Sequence, residues 1–286
     1  MINVLVTGAN GQLGKSIQSI QGNYPDLKFQ FTGRHDLDIT NKQSIEHYFE
    51  SNAIDFCINC AAYTAVDKAE NDSENAEKIN VTAVKHLAVY CESHAVKLIH
   101  ISTDFVFDGK QHKAYLESQS TNPLGVYGRT KLDGEKEVAT HSSRYFIIRT
   151  SWLYSEFNQN FLRTMLRLAQ ERDHLEVVSD QIGTPTYAKD LAKALLNIIK
   201  IDSVAFGIYH YSNEGVASWY DFAKAIFEIT NNGVFVNPLP TSSYPTLATR
   251  PHFSVLDKKK FKDSFDMTVP YWRDSLRIAL KELIQN

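Results

Sequence analysis

Three cysteines in 286 residues are too few for a disulfide framework, and they cannot supply the four ligands of a structural zinc ion. Cys57-Ile58-Asn59-Cys60 matches the C-x-x-C pattern, but it ends the apolar run Ile54–Ile58, which reads as a strand. Positions i and i+3 of a strand face opposite sides of a sheet, so packing cysteines are expected rather than redox or metal chemistry. The chain has little charge of either sign in excess, with a formal net charge of −3 and its basic residues dispersed. That excludes the electrostatic footprint of a nucleic-acid or anionic-membrane binder. No stretch reaches the roughly 18 apolar residues of a membrane span, and the first residues enter a strand without a basic region and long apolar run. A cytoplasmic protein is the expectation, in which the sequon Asn80-Val81-Thr82 carries no meaning. No internal repeat or low-complexity tract is present, and a hydrophobic content of 43% is enough for a substantial core.

What is present is alternation. Apolar or β-branched runs at Asn3–Thr7, Phe29–Thr32, Asp55–Asn59, Lys97–Ser102 and Tyr145–Arg149 alternate with helical patterns from Gly11, at Lys42–Glu50, across Glu74–Glu92 and after Tyr127. Repeated β-α units predict a Rossmann-type, doubly wound parallel sheet in an α/β fold. Beyond Arg149 the pattern changes to helices at Asn160–Gln170, Ala188–Ile199, Trp219–Ile229 and Trp272–Leu283 with short strands at Leu175–Val178 and Ile208–Tyr211. The reading is a dinucleotide-binding domain over 1–152, with parts of 187–211 returning to it. A smaller C-terminal α/β substrate lobe over 153–186 and 212–286 would lie at the C-terminal edge of the sheet, where such sheets place ligands.

The first strand runs into Gly8-Ala9-Asn10-Gly11-Gln12-Leu13-Gly14. A glycine-rich turn opening a helix lets backbone N–H groups and the helix dipole hold a pyrophosphate. The spacing is G-x-x-G-x-x-G rather than the commoner G-x-G-x-x-G. Asn10, Gln12 and Leu13 would lie along the phosphates. The second strand ends in Gly33-Arg34 with no acid before Asp36. An arginine there suits a ribose 2′-phosphate, so NADPH is favoured, with NADH the alternative through Asp36 or Asp38.

Tyr127-Gly128-Arg129-Thr130-Lys131 places a phenol and an ammonium four residues apart, on one face of a helix. Tyrosine alone has a pKa near 10, and a neighbouring ammonium favours the phenolate, which would suit Tyr127 to acid catalysis on a ketone. Thr103, at a strand end, could supply a hydroxyl to the same carbonyl oxygen.

With these residues, the chain resembles the extended short-chain dehydrogenase/reductases, in their branch that reduces dTDP-4-dehydrorhamnose. The likeness runs through Asp36–Thr40, Ala61–Glu70, Ser102–Gly109, Tyr127–Lys131, Arg149–Tyr154, Asp180–Thr186, Tyr209–Asn213 and Thr249–Pro251. It implies a catalytic triad of Thr103, Tyr127 and Lys131, with hydride passing to C4 of the keto-sugar and Lys131 also binding the nicotinamide ribose. It further implies a cofactor shell of Gly8, Gly11, Gln12, Leu13, Arg34, Asp38, Ile39, Ala61, Ala62 and Tyr63, and a dTDP-sugar site of Val66, Asp104, Phe105, Trp152 and Arg250. An arginine fork matches a diphosphate and an indole offers a flat apolar face, although Trp152 equally suits packing between lobes. Asn80 is placed near the active site by the same likeness, but suits equally well the tying of a helix to nearby backbone.

Two positions depart from the pattern. Phe105 stands where many members have tyrosine, and Ser16 stands where some have a glutamate that links dimers through magnesium. No metal is therefore expected, and a homodimer is left open. The alternatives are a nucleotide-sugar 4-epimerase and a non-catalytic subunit resembling the methionine adenosyltransferase β subunit. The intact Thr103, Tyr127, Lys131, Trp152 and Arg250 speak against the second, and Phe105 lacks the carboxylate a dehydratase needs.

Overall fold

The computed structural model describes residues 1–285. Its central sheet is built from β1 (Ile2–Thr7), β2 (Leu27–Thr32), β3 (Phe56–Asn59), β4 (Lys97–Thr103), β5 (Tyr145–Thr150) and β6 (Gly207–His210), in the order β6-β5-β4-β3-β1-β2. Every neighbouring pair is parallel. The strands are apolar on both faces because both are covered. Val4, Val6, Phe56, Ile58, Phe146 and Ile148 face one core with helices α1 (Gln12–Ile20) and α5 (Ala188–Lys200). The alternate residues Leu5, Cys57, Leu98 and Ile147 face a second core with α2 (Lys42–Ser51), α3 (Ala83–Ser93) and α4 (Val126–His141). The doubly wound reading is thus what the structure has. Cys57 and Cys60 reach opposite cores, and all three cysteines are free.

A further core lies beyond the sheet. Helices Phe161–Glu171, Trp219–Ile229 and Trp272–Gln285 cover the parallel pair His174–Val178 and Phe235–Leu239, around Leu162, Val177, Phe222, Ile226 and Leu276. Ser218 and Asp221 form a capping box at the start of the second of these helices. Sequence periodicity does not show Phe235–Leu239, because Pro238 demotes the run as a strand; it pairs opposite Val177 nonetheless. Nor does it show the short helix Lys259–Phe265, whose Phe261 and Phe265 pack into the core on the α1 side of the sheet.

The helical pattern over Glu74–Glu92 is not one continuous α-helix. Ser73–Glu77 and α3 are joined by a π-helical turn at Lys78–Thr82. The turn delivers Asn80, fully buried, to the backbone of Tyr63: its Oδ1 accepts from Tyr63 N at 2.8 Å and its Nδ2 donates to Tyr63 O at 3.1 Å. Such widened turns often mark functional sites.

Candidate active site

The strand order reverses between β1 and β3, and the cleft opens there, at the C-terminal ends of the strands. One part, about 340 Å³, is lined by Gly8, Asn10, Gly11, Arg34, Asp38, Ile39, Ala61 and Ala62, together with Leu37, Thr40 and Ile79. Gly8 has φ +64°, and a Cβ there would lie 2.6 Å from Ala61 N, so only glycine lets the turn approach the end of β3. The N-terminus of α1 carries no side-chain cap, which leaves its first N–H groups for a ligand. Past β2, the Asp36 carboxylate is folded back and accepts from Gly33 N at 2.8 Å. Asp38 likewise accepts from Thr40 N and Oγ1 at 2.9 and 2.7 Å. Arg34 is exposed on the same wall.

The cleft continues into a cavity of about 630 Å³ that brings together Gln12, Leu13, Val66, Thr103, Asp104, Phe105, Tyr127, Lys131, Trp152 and Arg250. Glu70, from the loop after β3, accepts from Val126 N at 2.8 Å and so caps α4 one residue before Tyr127. At Gly128 a Cβ would fall 2.3 Å from the carbonyl oxygen of Phe105. Its absence lets α4 settle against the loop after β4, with the Phe105 and Tyr127 rings edge to face at 5.5 Å.

Thr103 Oγ1 donates to Asp104 Oδ1 at 3.1 Å. Burial pushes the Asp104 carboxyl up to about 6 against the opposing hydrogen bonds of Ser254 and Thr103. Burial also pushes the Tyr127 phenol up to about 12, only partly offset by Thr103. The expected lowering of this phenol by Lys131 is absent. Lys131 is itself buried, brought down to about 8, and donates to the carbonyl of Ile101 at 2.7 Å rather than turning to the phenol.

Residues past the end of β5 supply the remaining wall. Trp152, at φ +46°, stacks on Trp219 with centroids 3.7 Å apart and planes 7° from parallel. Arg250 is engaged bidentately by Asp67, at 2.6 Å from Nη2 and 3.1 Å from Nη1, which holds the Asp67 carboxyl below its ordinary range. Trp219 and Arg250 also border a lobe cavity of about 660 Å³ lined by Phe161, Met165, Leu175, Val177 and Tyr244. A crossing loop ties the lobe to the glycine-rich turn. Gln12 Oε1 accepts from Ser155 Oγ at 3.0 Å and Asn160 Nδ2 at 2.9 Å, and Asn158 Nδ2 donates to Asn10 O at 2.8 Å.

Two of the expected cofactor residues stand apart from the cleft walls. Gly14 is buried against Ala9, where a Cβ would lie 2.6 Å from Ala9 Cα, so it serves helix-to-strand packing. Tyr63 presents its backbone to Asn80 and its hydroxyl to Asp72 at 2.9 Å. Sequence reasoning missed Trp219, whose capping box was the available signal, and the buried Asn59 and His100 behind Lys131. Ser16 is buried and bonds back to Gln12 O at 2.9 Å. Among the described residues no group of three or more His, Cys, Asp or Glu could hold a metal ion, and no helix is long and apolar enough to cross a membrane.

A parallel sheet of this order, an uncapped glycine-rich turn and a Tyr-x-x-x-Lys helix facing one cleft define a nicotinamide-dependent oxidoreductase of the short-chain dehydrogenase/reductase class. Residues 2–285 match the family model described as RmlD substrate binding domain. The chain is 42% identical to a dTDP-4-dehydrorhamnose reductase of Aggregatibacter actinomycetemcomitans, over 97% of this chain and 98% of that one. A dTDP-4-dehydrorhamnose reductase structure from Clostridium acetobutylicum superposes with a TM-score of 0.94 at 40% identity, covering 100% of both chains. One from Bacillus anthracis, in complex with NADP, has a TM-score of 0.94 at 37% identity over 99% of this chain and 100% of its own. The chain belongs to the dTDP-4-dehydrorhamnose reductase family.

Proposed function

We propose that the protein reduces the C4 ketone of dTDP-4-dehydro-L-rhamnose to dTDP-L-rhamnose with NADPH. The observation that carries this reading is the convergence of Thr103, Tyr127 and Lys131 in one cavity that opens directly onto the glycine-rich turn. Bound NADPH supplies the hydride; the residues of the chain do the rest. Gly8, Gly11 and the first turn of α1 hold the pyrophosphate, Arg34 takes the 2′-phosphate, and Ala61, Ala62 and Ile39 line the adenosine. Thr103 orients the ketone oxygen, and Tyr127 gives it a proton. A phenol raised to about 12 holds that proton at neutral pH, and the phenolate left behind needs a cation, which Lys131 provides by turning from Ile101 toward the cavity.

The sugar sits against Val66, Asp104, Phe105 and the Trp152 face. The diphosphate takes Arg250 in competition with Asp67, and the nucleoside extends into the lobe cavity. On this reading the core on the sheet serves the dinucleotide and the core beyond it serves the sugar nucleotide. The test follows NADPH oxidation at 340 nm, with dTDP-glucose converted in situ by a 4,6-dehydratase and a 3,5-epimerase. Oxidation that requires the epimerase and yields dTDP-rhamnose supports the reading. Oxidation without the epimerase redirects it to another 4-keto sugar, and none with either cofactor overturns it.

A further inference from the structure

Behind Lys131 a chain of buried polar groups runs back to the end of β1, and none of its members touches the cleft chemistry directly. Thr7 Oγ1 donates to Asn59 Oδ1 at 2.7 Å, and the backbone N–H of Ala61 donates to the same oxygen at 3.2 Å. A backbone N–H can only donate, so the amide oxygen of Asn59 is fixed toward Ala61 and its NH2 is fixed toward His100. Asn59 Nδ2 lies 3.1 Å from His100 Nδ1, which must therefore accept. Burial, the larger cause, holds His100 well below its ordinary pKa, with any charge on Lys131 acting in the same direction, so the ring is neutral whichever form the lysine takes. A neutral imidazole that accepts at Nδ1 carries its proton on Nε2. That nitrogen stands 3.4 Å from Lys131 Nζ.

The direction of this N–H has a consequence for the lysine. An ammonium has three donors and no acceptor, so retracted against Ile101 it meets another donor at His100. Only the uncharged amine can accept from Nε2–H while it donates to Ile101 O. We propose that His100 is a positioning residue that makes the retracted seat fit the neutral amine of Lys131 and drives the ammonium forward into the cavity. Asn59 and Thr7 act one and two steps behind it, by fixing the imidazole tautomer. The chain begins at Thr7, the residue before the glycine-rich turn, so the strand that shapes the turn also sets the tautomer.

Other charges around Lys131 do not replace this effect. Tyr127 and Glu135 share its helix, and Asp104, just past β4, and Cys60, just past β3, line the same cavity. Glu135 favours the ammonium, but its carboxylate is taken up by Arg149 at 2.6 and 2.9 Å and by Ser102 at 2.5 Å. The kinetic consequence rests on the reading above, in which Lys131 meets the nicotinamide ribose; the tautomer does not.

The test joins two measurements on the full chain. Imidazole 15N spectra of the ligand-free protein read the tautomer of His100, and fluorescence titration reads the pH dependence of the NADPH Kd. In the parent protein Nε2 is protonated, and affinity falls at alkaline pH as Lys131 loses its charge. Asn59→Asp places a carboxylate at Nδ1, moves the proton there and presents a bare Nε2 that accepts from the retracted ammonium. NADPH should then bind about ten-fold more weakly at neutral pH, and the alkaline midpoint should rise by about one unit. His100→Leu, which removes the opposing donor without supplying an acceptor, should weaken binding in the same direction by a smaller factor, whereas His100→Gln, which keeps an N–H donor, should restore the parent profile. An Nδ1–H tautomer in the parent, a glutamine variant as impaired as leucine, or unchanged profiles in both Asn59→Asp and His100→Leu would overturn the proposal. If His100→Leu does not fold, the spectra and titrations of Asn59→Asp decide. A parent protein that binds no NADPH would instead overturn the proposed reductase, with the ring spectra still deciding the tautomer.

Discussion

The two walls of the cleft are built by different means. On the sheet side the ligand-facing surface is largely backbone: a left-handed glycine, the open end of α1, and alanines at the end of β3. On the lobe side it is side chains held by other side chains, Trp152 on Trp219 and Arg250 on Asp67. A backbone wall suits a ligand that is the same in every turnover, because its geometry follows from strand order and a few close approaches. A wall of paired side chains can be re-cut for a different sugar without disturbing the sheet.

The sharpest break between the walls falls at the residues proposed to do chemistry rather than binding. Tyr127→Phe should lower kcat by about 10²–10⁴-fold and leave the NADPH Kd within a few fold. An equal loss of cofactor affinity would show that the phenol belongs to the binding wall.

Asp104 tests whether the junction of the two walls is built for activity at the expense of stability. Its folded pKa, about 6 against an ordinary 3.8, means the fold prefers the protonated acid. The associated stability is complete below about pH 4 and is lost as pH rises through 6. Asp104→Asn should therefore be more stable than the parent above pH 6, by at most about 3 kcal/mol, and lose that advantage below pH 4. Urea unfolding at both pH values checks the sign.

Smaller effects separate the walls by ligand. Arg250→Ala should raise the KM for the dTDP-sugar about 10–100-fold with the NADPH KM unchanged, as expected for a lost charge-assisted pair. Arg34→Ala should do the reverse, raising the NADPH KM about ten-fold while NADH use stays level. A variant that shifts both constants together would mean the walls are not independent. The smallest effect belongs to Glu70→Ala, which removes the carboxylate capping α4 and should cost about 1 kcal/mol of stability in a thermal melt.

The sheet wall was the more legible in the sequence, and for the same reason that it is backbone. Glycines, strand ends and a helix start leave local signatures, so Gly8, Gly11 and the Tyr127–Lys131 spacing could be read directly. The lobe wall depends on pairs distant in the chain. Nothing near Arg250 announces Asp67, and nothing near Trp219 announces Trp152, which stacks on it in the same cavity. Periodicity could not separate the π turn at Lys78–Thr82 from ordinary helix, since the apolar stripe continues through it. Asn59 ends its strand and His100 sits inside an apolar one, where a single polar residue has no local signature until its partners are known.

The loop that crosses from the lobe to the turn has a consequence for how sequences of this family should vary. Gln12 answers to Ser155 and Asn160, and Asn10 to Asn158, so these positions form one hereditary unit although they lie at opposite ends of the sheet's chain order. A change at Gln12 that shortens its amide would remove the one acceptor that joins the two segments, leaving Ser155 Oγ and Asn160 Nδ2 with only the acceptors of their own loop, Phe157 O and Ser155 O. In a collection of related chains, substitutions at 12 should therefore arrive together with substitutions at 155 and 160, even where the glycines between stay fixed.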